Sequence, residues 1–339
     1  MRNRHPNPTL LLFLAWLTLV FPGIGAAAGT PPITFGLPVA CSLGKNCWIQ
    51  NYPDRDPGPG AEDYRRGSLT YNDHRGTDFR VRTYREMRQG VMVIAAADGR
   101  IKAARDGMAD GPPSGAMDRK KIGKRMAGNG VVIDHGSGWE SIYGHLRLDS
   151  VLVKPGQQVK AGEPLGLIGQ SGLAQFPHVH FEIRHNGKAL DPFGIQDPDQ
   201  SAAPEKPLWN TTTLNQLAYH ATGELAAGFA GTIPDRAMVN DPPTPEPVVT
   251  SDKLIFWVNL FGTRAGDREE IRLLTPSGKV LAKNETTYSK HQAQAIRYIG
   301  KRRPDWLNTW PKGRYIGSYR LERNGQKQPV VEIIRHLEL

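Results

Sequence analysis

The sequence predicts a mainly β protein: an antiparallel β-sheet domain followed by a smaller, immunoglobulin-like β-sandwich. Short apolar runs alternate with glycine turns from Val91 to Asp191, and His178 to Ile183 alternates strictly between polar and apolar residues. Runs of the same kind resume after Lys253, which supports the second, sandwich-like part. With 37 glycines and 27 prolines in 339 residues, turns are favoured over helices. The hydrophobic share of 39% and charged share of 22% are those of a globular chain.

Taken in order, Arg2 and Arg4 precede an apolar run from Leu10 to Phe21, and Ala26-Ala27-Ala28 supplies small residues for cleavage. This is the layout of a secretory signal peptide over residues 1–28, too short for a comfortable membrane span. It implies an exported protein, periplasmic or secreted, with no stable membrane insertion once the signal is removed. Cys41 and Cys47 then form an even pair at short spacing, which in an exported chain reads as a local disulfide. Asn51 to Arg66, with Pro53, Pro57 and Pro59, has loop chemistry.

Val91 to Ala96, the turn Asp98-Gly99 and Arg100 to Ala103 read as a hairpin. Between Arg105 and Gly128 lies an insertion ending in Arg119, Lys120, Lys121, Lys124 and Arg125, expected as a solvated loop. Val131 to Ile133 and Glu140 to Tyr143 flank a Gly136/Gly138 turn, and Lys154 to Gly162 separates two further short strands. After Pro192, Pro204 and Pro207 mark a linker and Pro242 to Pro247 a second break, with a possible helix around Leu214 to Leu225 between them. Strands are expected at Leu254–Leu260, Ile271–Leu274, Val280–Lys283, Tyr315–Arg320 and Val330–Ile334. The division is therefore residues 29–200, with a motif-bearing core at about 70–195, and residues 206–339.

The formal net charge is +10, and losing residues 1–28 removes two arginines and no acid. Such a surplus favours anionic surroundings. No basic stretch is interleaved with aromatics as a nucleic-acid surface would require, so nucleic acid is not expected as a partner.

Three places put histidine where a metal site needs it: His74 and Asp78 four apart with Gly76 between, His145 after Tyr143-Gly144, and His178-Val179-His180. On a strand His178, His180 and Glu182 share one face while Val179, Phe181 and Ile183 share the other. Hydrolytic zinc needs three protein ligands and an open position, with a neighbouring base to handle the proton. His74, Asp78, His145, His178 and His180 are five suitable residues. His135, in the Asp134-His135-Gly136 turn, reads as structural, and His185 before Asn186-Gly187 as solvated. Glu182 is a candidate partner orienting a ligand histidine.

The set His74-x-Gly76-x-Asp78, Tyr143-Gly144-His145-Leu146 and His178-x-His180-Phe181-Glu182 resembles the lysostaphin-like (LytM-type) zinc endopeptidases. Gly130 to Gly136, Gly156 to Gly162, Gly169 to Gly172, Asn186-Gly187 and Asp191-Pro192 extend the resemblance over about residues 70–195. It implies one zinc ion per chain on His74, Asp78 and His180, with His145 and His178 as the catalytic pair. It also implies an open groove across the sheet and the peptide part of peptidoglycan as substrate and partner. One rival is a non-catalytic relative that binds peptidoglycan or a partner and activates another hydrolase; such relatives lose metal ligands, and all five residues are present here. A biotinyl or lipoyl carrier, suggested by Val159 to Gly162, leaves the histidines unexplained. The residues after 206 are open to a role in binding a protein partner.

Overall fold

Residues 1, 33–111, 120, 122, 123, 125–194, 206–241 and 246–339 are described by the computed structural model. Apart from Met1, the expected signal peptide lies outside the described residues, as do Arg119, Lys121 and Lys124 of the insertion and most of the two proline breaks. Among the described residues no helix is long and apolar enough to cross a membrane.

In chain order the first half runs β1 (Trp48–Asn51), β2 (Thr77–Arg80), α1 (Tyr84–Gln89), β3 (Met92–Ile94), β4 (Gly99–Arg105), β5 (Asn129–Gly136), β6 (Trp139–Leu146), β7 (Gln158–Val159), β8 (Pro164–Leu167), β9 (His178–His185) and β10 (Lys188–Leu190). Seven of these strands form a sheet in the order β1-β2-β9-β6-β5-β4-β7, every pairing antiparallel, and β10 pairs with β9. The period of two decides which face is which. Val179, Phe181 and Ile183 of β9 are fully buried, and each is worth about 1.5–3 kcal/mol by removal from water. The alternate residues His178, His180 and Glu182 are thereby turned to the opposite face.

The β5–β6 turn uses Gly136, Ser137 and Gly138, all at positive φ, as the sequence suggests. The expected hairpin of Val91 to Ala103 does not form. β3 pairs with β8 in a separate two-stranded sheet, while β4 pairs with β5 and β7. Asp98, read as a turn residue, instead pins the chain to the 160–162 turn: its carboxylate accepts the Ala161 N–H at 2.8 Å and pairs with Lys160 at 2.8 Å. The chain there crosses between sheets instead of folding back. Cys41 and Cys47 form the expected disulfide.

The second half comprises α2 (Thr211–Leu214), β11 (Gly223–Ala230), α3 (Arg236–Asn240), β12 (Lys253–Thr263), β13 (Arg268–Leu274), β14 (Val280–Thr287), β15 (Gln292–Arg302), β16 (Arg314–Glu322) and β17 (Val331–Glu338). Two sheets, β11-β12-β15 and β14-β13-β16-β17, share one apolar core that includes Leu254, Phe256, Leu273, Tyr315, Tyr319 and Ile333. Lettered A to G from β11, the sheets are A-B-E and D-C-F-G. A constant-type immunoglobulin domain places the fourth strand beside E; here it pairs with C. The possible helix over Leu214 to Leu225 is corrected: helix covers only Thr211–Leu214, capped by Asn210, and residues from Gly223 onward are strand. Pairing of β11 along β12 buries Leu225, Phe229 and Ala230, which a helix exposed at this position would not.

The two halves touch closely. Trp48 of β1 packs with Leu225 and Phe261. Phe35 and Leu208–Asn210 exchange main-chain hydrogen bonds, and the Trp209 ring lies against Phe79, Phe181 and Phe193. Thr34 to Leu339 cluster as one compact unit.

Candidate metal centre

Register assembles the site. Asp78 of β2 lies directly across from His180 of β9, and Gly144 of β6 across from His180 on its other side. His74 reaches the same place from the turn before β2. The close approach requires glycine at position 76: a Cβ there would lie 2.7 Å from the His180 ring and from the Phe181 carbonyl. Gly76→Ala should therefore push the His180 ring aside and weaken metal binding more than it lowers the melting temperature. Zinc affinity of the purified variant checks this, and wild-type affinity would contradict it.

Three donor atoms converge. Asp78 Oδ1 is 3.1 Å from His74 Nε2 and 2.9 Å from His180 Nδ1, and the two ring nitrogens are 3.3 Å apart. Each of the three side chains is oriented from behind. His74 Nδ1 lies 2.7 Å from the Tyr52 carbonyl. A carbonyl only accepts, so Nδ1 carries the proton and the Nε2 lone pair faces the centre. Asn51 Nδ2 donates to Asp78 Oδ2 at 2.8 Å, leaving Oδ1 for the centre. His180 Nε2 is 3.5 Å from Glu182, which is held by Arg184 at 2.6 Å. His74, Asp78 and His180 thus present a nitrogen–oxygen–nitrogen set whose ligand atoms lie close together, which fits a divalent cation such as zinc once His180 gives up its proton.

His145 and His178 stand beside this cluster, their rings 4.6 Å apart, with His145 6.1 Å from His180. His145 Nδ1 donates to the Ser171 carbonyl at 2.7 Å and His178 Nδ1 to the Phe176 carbonyl at 2.8 Å. Both therefore keep an Nε2 lone pair, and His178 Nε2 is 3.5 Å from Asp78 Oδ1. His145 sits at φ 61°, a left-handed backbone unusual for a side-chain-bearing residue. Its N–H bonds to the Ala127 carbonyl at 2.7 Å, so the segment beside the insertion fixes it.

The charge balance follows from burial. Desolvation pushes the Asp78 carboxyl up, but His74, His178 and His180 hold it well below the usual carboxylate range. Burial pulls His180 down, yet the Asp78 and Glu182 carboxylates carry it up to about 9. Burial, helped by the His178 and His180 rings, drives His145 down to about 3, and burial likewise lowers His178. Both flanking imidazoles are thus neutral at pH 7.

The five residues singled out in the sequence stand together. His135 is structural, bonded to the Asp98 carbonyl and Ser141 Oγ. His185 is partly covered by a stack on Trp139 at 4.4 Å. Tyr143 is buried packing, its hydroxyl accepting the Ala96 N–H. The described ends of the insertion are docked, since Asp106 accepts the N–H groups of Asp149 and Val151, and Asp110 those of Leu148 and Gln170. Sequence reasoning missed Asn51, Tyr52, Ser171 and Phe176. Three of these act through main-chain carbonyls, which no side-chain pattern reveals.

Residues 72–192 match the family model described as Peptidase family M23. An uncharacterized metalloprotease of Haemophilus influenzae is 34% identical over 131 residues, 38% of this chain and 22% of that one. The murein hydrolase activator EnvC of Escherichia coli is 39% identical over 110 residues, 32% of this chain and 23% of that one. The peptidoglycan DD-endopeptidase ShyA of Vibrio cholerae is 31% identical over 135 residues, 40% of this chain and 26% of that one. The chain spans about a quarter of the length of these curated relatives.

Proposed function

We propose, from the match of residues 72–192 to peptidase family M23, that the protein is a zinc-dependent endopeptidase that hydrolyses peptide bonds in peptidoglycan stem cross-links or bridges. The observation that carries this reading is the convergence of His74 Nε2, Asp78 Oδ1 and His180 Nδ1 beside two neutral imidazoles. Zinc held there would polarise a scissile carbonyl and bring the pKa of water from near 16 to about 7. His145 and His178 supply Nε2 lone pairs, either of which can take the proton from the attacking water and return it to the leaving amine. Asn51 and Tyr52 keep the ligands in position during these steps.

Export is part of the proposal, supported by the charged and apolar sequence of residues 1–28 and by the Cys41–Cys47 disulfide, a bond that persists in an oxidising compartment. The relative named as a murein hydrolase activator supports a second reading, in which the chain recruits or stimulates another hydrolase without cutting. Chelation separates the two. Stripping the metal should abolish release of peptides from cross-linked muropeptides, and added zinc should restore it. Activity indifferent to chelation would overturn the zinc reading, and stimulation of a separate hydrolase by metal-free protein would favour the activator.

A further inference from the structure

Tyr52 is the link between the metal centre and the chain beyond the matched segment. Its carbonyl orients His74 at 2.7 Å and also accepts Thr70 Oγ1 at 2.8 Å. Its N–H donates to the Leu69 carbonyl at 2.7 Å, and the residue is 1% exposed. Tyr219, which lies after the matched residues 72–192, touches the Tyr52 ring directly and reaches its main chain through Asp63 and Leu69. The two rings stack at 5.3 Å and 27°. The Tyr219 hydroxyl donates to Asp63 Oδ2 at 2.8 Å. The Asp63 carboxylate in turn accepts the N–H groups of Arg65, Gly67 and Leu69, which shapes the strand of chain carrying the Leu69 carbonyl.

Tyr219 is itself anchored at both ends. Upstream, Trp209 is fixed against Phe181 and Phe193. Downstream, Thr222 Oγ1 donates to the Gly262 carbonyl of β12 at 2.7 Å. Gly262 sits at φ 69°, and a Cβ there would come within 2.0 Å of the Ala221 carbonyl, so the chain leaving Tyr219 lies hard against the sandwich.

We propose that Tyr219 is a positioning residue for the metal centre, acting through Tyr52 on the His74 imidazole, so that the second half of the protein contributes directly to metal affinity. The inference rests on the reading of His74 as a ligand. Its logic is that of an outer support: a partner that orients a ligating histidine is worth about 10–100-fold in metal affinity, because a misdirected lone pair must be reoriented at each binding event.

The test is zinc affinity of the full mature chain, measured by competition with a chromophoric chelator alongside circular dichroism and melting. Tyr219→Ala should bind zinc about tenfold more weakly, and Tyr219→Phe, which keeps the ring and loses the Asp63 bond, should fall between it and wild type. Leu321→Ala, in the sandwich core away from Tyr52, should lower the melting temperature and leave zinc affinity at the wild-type value. If Tyr219→Ala does not fold, Tyr219→Leu carries the same expectation. Wild-type affinity in the Tyr219 variants, or an equal loss in Leu321→Ala, overturns the positioning role and leaves the reading of the site intact. A wild-type chain that binds no zinc overturns both.

Discussion

His180→Ala should give a folded protein that binds no zinc and releases no peptides from peptidoglycan. His180 Nδ1 is the nearer of the two nitrogen donors to Asp78 Oδ1, at 2.9 Å against 3.1 Å for His74 Nε2, and only one nitrogen and one oxygen donor remain without it. Catalytic zinc sites use three protein ligands, and loss of a mere orienting partner already costs about 10–100-fold in affinity. Loss of a ligand itself should therefore exceed about a hundredfold. The fold is expected to survive because Val179, Phe181 and Ile183, which hold β9 in the core, are on the opposite face. Metal content by mass spectrometry and the circular dichroism spectrum check the two halves of this expectation. A variant that retains one zinc per chain would show that His180 is not a ligand.

His145→Ala should do the reverse, keeping zinc while turnover falls by about 10²–10⁴-fold, the scale of a lost general acid or base. His145 belongs to the pair that flanks the donor cluster, its ring donating to the Ser171 carbonyl and its main-chain N–H to that of Ala127. The backbone complicates this substitution. At φ 61° alanine retains the left-handed strain that histidine bears, whereas glycine relieves about 1 kcal/mol of it. His145→Gly is therefore the companion variant: both should bind zinc, and both should be nearly inactive. Loss of zinc in both would move His145 into the ligand set and overturn the division of roles.

The site was more legible than the fold around it. Imidazoles at His178 and His180 on one face of an apolar strand, with His74 and Asp78 spaced about a glycine, are visible as side-chain chemistry before any coordinates exist. Their supports are not, because Tyr52, Ser171 and Phe176 act through carbonyls that every residue possesses. Strands with a buried face, such as β9 and β12, announce themselves by apolar residues. β15 escaped notice because Gln292 to Arg302 carries charged and amide side chains on its exposed face and only Ala295 is fully buried. The failed hairpin at Asp98-Gly99 has another cause: a turn signature says where the chain bends, and the partner of the next strand is chosen by long-range contacts such as Asp98 with Ala161.

The most direct test of the central claim is mass spectrometry of the fragments released when zinc-loaded mature protein is incubated with purified peptidoglycan, with His180→Ala as the control. The account predicts new peptide termini within stem cross-links or bridges that are absent from the control. Intact peptidoglycan after incubation with protein shown to hold one zinc per chain would contradict it.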